Sequence, residues 1–225
     1  MLAHAAPFIA WLLLMILPWG AAAWMYALRS VVGAALLLAL RPWRWYAPPS
    51  LRHVPLALGC GGVVFVAWVI GETPWFERTF PALQEAYLRF GSDFRRFGQL
   101  PTALPATPFA PGTCGWPLAG VRLLGSGLVI APIEEFFWRG FVYRALIAQP
   151  FVRVDPGRFR LWPFIVTTAL FALEHDRWLA GAVAGMAYGL LMIRTRDIWA
   201  AAIAHSVTNL LLGAYVLSTG AYGFW

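Results

Sequence analysis

The chain has 225 residues, 60% hydrophobic and only 12% charged, with a mean hydropathy of +0.66 and a formal net charge of +7. That balance leaves no room for a separate soluble domain and describes an all-α, polytopic integral membrane helix bundle, with space for about seven to eight crossings of about 20 residues each. The positive charge comes entirely from Arg, since the sequence contains no Lys, and these residues cluster between apolar segments, where they set orientation rather than bind nucleic acid.

In chain order, the run from Ile9 to Ile16 could be a signal-peptide core with Ala21, Ala22 and Ala23 as a cleavage site. No Arg or Lys precedes it, however, so the expectation is a retained first span. Apolar runs then give spans at 5–20, 22–40, 54–71, 118–147, 161–178, 179–193 and 197–217. Pro18 and the stretch from Gly20 to Ala23 soften the first break, so the first two spans could form one bent hairpin. Residues 1–225 read as a single transmembrane domain. The connection at 72–116 is its one sizeable extramembrane piece, in which Leu83, Tyr87, Phe90, Phe94 and Phe97 recur at helical intervals opposite Glu85, Arg89, Asp93 and Arg96. The expectation there is an amphipathic helix resting on the bilayer or capping the bundle, followed by a Pro-rich stretch from Pro101 to Pro117. Cys60 and Cys114 have no partner at metal-binding spacing and read as unpaired packing or loop thiols.

Arg41, Arg44 and Arg52 precede the third span, Arg144, Arg153, Arg158 and Arg160 follow the fourth, and Arg194 and Arg196 precede the last. These loops face only Asp155 and Asp197, whereas the 72–116 connection balances its arginines with acids. The Arg-rich loops are therefore expected together on the cytoplasmic side.

Within the spans lie polar residues that a membrane does not hold without reason: Glu134, Glu135, Arg139, His175, His205 and Asn209. An ionised group in the hydrocarbon is costly, so an intramembrane acid marks a candidate site. Counted from the Arg-rich side at the helical rise, Glu134, His175, His205 and Asn209 fall at depths of roughly 12 to 21 Å, so three helices can aim them at one cavity. Glu135 and Arg139 are four apart and can pair within the helix, leaving Glu134, about 100° round it, free for another neighbour.

At these residues the chain resembles the intramembrane CPBP family, which includes the CAAX-type prenyl endopeptidases, or Ras-converting enzymes, and is described both as metalloprotease and as glutamic protease. The matching motifs are Glu134-Glu135 with Arg139, Phe171 with His175, and His205 with Asn209, in that order and on three spans. In size and in its Arg- and Trp-rich character the chain also resembles a bacterial, exosortase-associated branch related to CAAX proteases. The resemblance implies a multi-pass protein of the bacterial inner membrane that hydrolyses a peptide bond near the C-terminus of a membrane-anchored protein or peptide. Glu134 would take the proton of the attacking water, His175 would orient that water, His205 and Asn209 would face the oxyanion, and Glu135 and Arg139 would be supports. No cofactor is required, although zinc at Glu134, His175 and His205 is chemically open.

Other readings stand beside this one. Ser126, between Gly125 and Gly127, could serve a rhomboid-like protease, but that leaves the Glu pair without a role. An inactive binding or immunity protein of the same fold would use no base at all. Glu174 and Asp176 are expected at a solvated span end, Arg122 is expected to snorkel to the nearer surface, and the tryptophans to anchor the interface.

Overall fold

The computed structural model describes residues 1–100 and 107–225, apart from the side chain of Phe94. Among these residues the structure is helical throughout, with no strand. Nine helices are used below: α1 (Leu2–Met15), α2 (Ala23–Leu40), α3 (Val54–Val69), α4 (Pro74–Thr79), α5 (Pro81–Phe90), a continuous α6 (Pro111–Ile147), α7 (Leu161–Leu173), α8 (Trp178–Thr195) and α9 (Ile198–Thr219). Among the described residues, five segments are long and apolar enough to cross a membrane: Ala23–Trp45, Leu51–Glu72, Pro111–Ile147, Trp178–Thr195 and Ile198–Thr219. Leu2–Met15 and Leu161–Leu173 are shorter apolar helices. Large apolar side chains such as Val31, Val63, Leu128 and Leu190 point outward from these segments, the surface that lipid rather than water would cover.

The seven expected apolar elements are all present, with shifted ends. The segment expected at 161–178 stops as a helix at Leu173, and residues 174–177 form a turn into α8. The segment expected from 118 begins at Pro111. It kinks at Gly115, whose φ of 80° and ψ of 157° suit a residue without a Cβ. The expected amphipathic helix is also broken. α5 ends at Phe90, and Asp93 caps a new short turn by accepting from the Arg95 N–H at 2.9 Å, so the aromatic stripe runs over two elements. Phe90 and Phe97 still meet, with ring centroids 5.2 Å apart. Of the Pro-rich stretch, residues 101–106 lie outside the described residues.

Packing, not hydropathy, assembles the bundle. α9 lies against α3, α6 and α8. At Gly61 a Cβ would meet the Ala204 carbonyl oxygen at 2.5 Å, so α3 and α9 touch backbone to backbone there, as small residues permit between membrane helices. α1 is built into the core: Phe8 stacks on Phe137 at 4.3 Å, and the His4 ring is 3.0 Å from the Tyr46 hydroxyl. Cys60 and Cys114 are free thiols.

The loops sort onto two faces. On one, Asp197 accepts from the Ser50 N–H at 3.2 Å and pairs with His53 at 2.9 Å, and Asp155 pairs with Arg196 at 3.8 Å. The three Arg-rich loops therefore lie together, as their charge pattern requires. Arg144 is an exception in character. It is buried, and it donates to the Val152 and Val154 carbonyls at 2.9 Å, tying its loop to α6. On the opposite face, Arg177 pairs with Glu72 and donates to the Gly223 carbonyl at 3.0 Å, Arg95 pairs with Asp176, and the Trp178 indole N–H donates to the Phe90 carbonyl at 2.7 Å.

Candidate active site

The site is organised by a disturbance in α6. Two π-helical turns, Ser126–Ile130 and Trp138–Val142, flank the Glu134-Glu135 pair. Pro132 has no N–H to give and its ring crowds the carbonyl one turn back, and the Ala131 N–H just before it donates five residues back, to Ser126. Such π turns recur at functional sites because they re-aim side chains within a helix.

The two acids have different surroundings. Glu135 is fully buried, and its Oε1 accepts from Arg139 Nη1 at 2.9 Å while lying 2.9 Å from His205 Nδ1. Arg139 also donates to the Gly185 carbonyl at 3.1 Å, and its guanidinium lies 4.2 Å from the Phe171 ring centre. The intrahelical ion pair expected from the spacing of Glu135 and Arg139 is therefore present, joined by a histidine. Glu134 points elsewhere. Its Oε2 is buried with no hydrogen-bond partner among the described residues, and the nearest cation candidate, His205 Nε2, is 3.8 Å away, beyond hydrogen-bond range.

His205 is locked from several sides. Its ring stacks on Tyr188 at 4.9 Å and meets Phe171 edge-on at 5.8 Å. The Tyr188 hydroxyl in turn donates to Thr208 at 2.8 Å, and Thr208 reaches the Gly61 carbonyl at 2.9 Å. With Nδ1–H assigned to Glu135, Nε2 carries a lone pair in the neutral ring and donates only when both nitrogens are protonated. Asn209, one turn on, donates from Nδ2 to the Ser126 carbonyl at 3.0 Å. One amide hydrogen of Asn209 is thus spent on the π turn and one remains.

His175 does not lie inside a helix as expected but in the turn after α7. It still meets Phe171, with ring centroids 4.7 Å apart, and its Nδ1 is 2.7 Å from the Phe171 carbonyl oxygen. That bond assigns the proton to Nδ1 and leaves Nε2 as an acceptor. Trp68 closes over it edge-on at 5.4 Å.

A cavity of about 540 Å³ joins these groups, with Glu134, His175 and Asn209 in its wall. His205 reaches Glu134 from the packed side behind that wall. Met15, Gly20, Trp68, Glu174 to Arg177 and Gly223 to Trp225 also line it, so the cavity opens among the helix ends opposite the Arg-rich loops.

Glu174 and Arg122 also shape the cavity. Glu174 ends its helix and is exposed, as expected, but its side chain also lines the cavity and accepts from the Trp138 indole N–H at 2.9 Å. Among the described residues, ligand atoms of Glu134, Glu174 and His175 all lie within 4.8 Å of one another. Arg122 does not snorkel outward but stacks on Tyr26 and Phe109, at 4.2 and 4.7 Å, in the cavity wall. No spacing rule pointed to Glu174 in the cavity, because its position depends on α7 ending at Leu173 rather than at residue 178. Ser126, the alternative nucleophile, donates its hydroxyl to the Leu123 carbonyl at 2.8 Å within its own helix.

A multi-span helical protein whose cavity carries a carboxylate, an imidazole and an amide, with a second carboxylate engaged behind, has the makings of a membrane-embedded hydrolase. Residues 116–211 match the model of the family described as Type II CAAX prenyl endopeptidase Rce1-like, and all three motifs fall inside the match. This segment, somewhat less than half of the chain, is similar to the CAAX-protease type of intramembrane endopeptidase. No curated protein and no solved structure matches the chain.

Proposed function

We propose that the protein cleaves a membrane-anchored protein or peptide near its C-terminus by a water activated at Glu134, without a metal. One observation carries this reading: Glu134 lies in the wall of a cavity without a hydrogen bond among the described residues, while Glu135 beside it lies behind that wall with one oxygen engaged by Arg139 and His205 and the other, like Oε2 of Glu134, buried and unpartnered. A buried acceptor is costly to leave unmade, and a water or substrate group in the cavity is what satisfies it.

In this mechanism a water sits between Glu134 and His175 Nε2. Glu134 takes a proton as the water oxygen adds to the peptide carbonyl carbon. The free Asn209 N–H faces the oxyanion, a position at which one donor is worth on the order of 3 kcal/mol, and His205, doubly protonated, would assist it only by coming forward from behind the cavity wall. Glu134 then returns the proton to the nitrogen as the C–N bond breaks, giving a carboxylate and an amine. Glu135 and Arg139 are positioning residues that hold His205 in register.

A metal-dependent variant would use Glu134, Glu174 and His175 as ligands, the metal polarising the carbonyl and acidifying water. A binding protein without catalysis would need no base, and its function would survive Glu134→Gln. The exosortase-associated branch and the bacterial inner membrane remain part of the proposal, carried by size, by Arg and Trp content and by the family.

The test is mass-spectrometric mapping of protein C-termini in membranes of cells carrying the native chain or Glu134→Gln at equal abundance. Termini present only with Glu134 establish proteolysis and name the substrate. Identical termini, with a phenotype kept by the mutant, sink the enzyme reading in favour of binding.

A further inference from the structure

The cavity has a second polar pole, far less expected in a membrane helix bundle than the acids. Arg29 on α2 is 4% exposed, Arg122 on α6 faces it, and both line the same cavity as Glu134. Their guanidinium carbons lie 5.0 and 4.2 Å from the Tyr26 ring centre, and Arg29 also stacks on Trp11 at 5.3 Å. Neither guanidinium has an acid as ion-pair partner among the described residues, and the Nε of each is buried without a hydrogen-bond partner. The Tyr26 hydroxyl beside them is buried without one as well.

The two other buried arginines among the described residues, Arg139 and Arg144, are satisfied. Arg139 has Glu135 and the Gly185 carbonyl, and Arg144 has three carbonyls. Two like charges held against one aromatic ring repel each other, and uncompensated buried charge is strongly unfavourable. Cation–π contacts recover part of that cost but leave the planar donor edges without an acid. Those edges are suited to a carboxylate, which takes two parallel N–H bonds from one guanidinium.

We propose that Arg29, Arg122 and Tyr26 form an anion-binding subsite of the Glu134 cavity that receives the free C-terminal carboxylate of the peptide. A lipid phosphate would present the same kind of oxygens. The cavity also carries Glu134, Glu174 and Asp176, which disfavour a larger or multiply charged anion more than a single carboxylate. The subsite makes the chain end the feature recognised, so cleavage is confined to bonds close to a C-terminus. This rests on the proteolytic reading for the identity of the ligand, but its test does not depend on turnover.

Full-length Glu134→Gln protein in phosphatidylcholine nanodiscs is offered a pooled library of N-palmitoylated hexapeptides with randomised C-terminal residues, once as free acids and once as amides, and retained peptides are counted by mass spectrometry. Free acids are expected to be retained at least about tenfold over amides, the scale of a charge-assisted pair. Adding Arg29→Gln or Arg122→Gln should bring the ratio to about one with elution and melting behaviour unchanged. Where a Gln variant does not elute as native protein, the Lys variant, which keeps the charge and loses the fork, is read in its place and should lose most of the preference. Equal retention of acids and amides, no retention of either pool, or a preference that survives the Arg changes overturns the proposal. So does an Arg-dependent preference that disappears in discs enriched in phosphatidylglycerol, which would assign the subsite to a lipid anion. Proteolysis without an acid preference removes this inference alone, and an acid preference without proteolysis removes only the enzyme reading.

Discussion

His205 Nδ1 lies 2.9 Å from Glu135 Oε1, so the histidine of α9 is oriented by the acid that pairs with Arg139 and not by the acid in the cavity. This one contact divides the Glu134-Glu135 pair into a member held by protein partners and a member that lines the cavity. It also joins two motifs that are 70 residues apart in the chain.

Replacing Glu134 with Gln keeps the shape and removes the base. Cleavage is expected to fall by about 10² to 10⁴ with the thermal midpoint in detergent nearly unchanged, because the side chain has no protein hydrogen bond at Oε2 to lose. Single-turnover cleavage beside a melting curve checks it, and a variant as active as the native chain would remove Glu134 from the mechanism.

Glu135→Gln and Arg139→Met each leave a buried charge without its partner, and each should destabilise by about 3–5 kcal/mol. The double variant should cost clearly less than the two singles together. A double-mutant cycle measured by unfolding in mixed micelles reads the coupling, and strict additivity would show that the pair is not an energetic unit.

Gly61→Ala should destabilise by about 1–3 kcal/mol, because the new methyl would meet the Ala204 carbonyl oxygen at 2.5 Å and Val207 Cβ at 2.8 Å. Since α9 carries His205 and Asn209, activity should fall with it. Gly59→Ala and Gly62→Ala, where nothing lies within 4 Å, are the controls and should be neutral or slightly stabilising, as expected of Ala replacing Gly in a helix. Equal effects at all three positions would contradict close α3–α9 packing as the cause.

Asn209→Ala should lower kcat by about 10² to 10³ with little change in KM, the pattern of a donor that acts on the transition state. The variant also gives up the bond to the Ser126 carbonyl, so Asn209→Asp, which keeps the volume and reverses the hydrogen-bonding role, separates packing from donation. Recovery of activity in the Asp variant would argue against an N–H donor.

Chelation distinguishes the two chemistries available to the cavity. Activity unaffected by prolonged dialysis against a strong chelator is the expected result. Loss of activity that zinc restores, and that Glu174→Gln abolishes, would instead make Glu134, Glu174 and His175 metal ligands.

Much of this protein is legible from local sequence. Hydropathy alone marks every apolar segment, since burying some twenty apolar residues in lipid depends on composition and length and not on neighbours. The spacing of Glu135 and Arg139, four apart, suffices to predict their ion pair, because helical geometry fixes that contact whatever packs around it. The Arg-rich loops likewise sort to one face by charge.

What packing decides is everything that depends on where a helix stops and what meets it across space. The turn after Leu173 swings Glu174 into the cavity and takes His175 out of its helix, and a boundary error of a few residues is enough to hide both. The division of labour between Glu134 and Glu135 is set by His205 on another helix. The stacking of Arg29 and Arg122 on Tyr26 needs α2 and α6 side by side. Local sequence therefore determined the class of the protein, its spans and the residue types of its chemistry. Only the tertiary structure decided which acid lines the cavity and which arginines stand without an acid partner, because burial and pairing are relations between segments that the chain brings together only on folding.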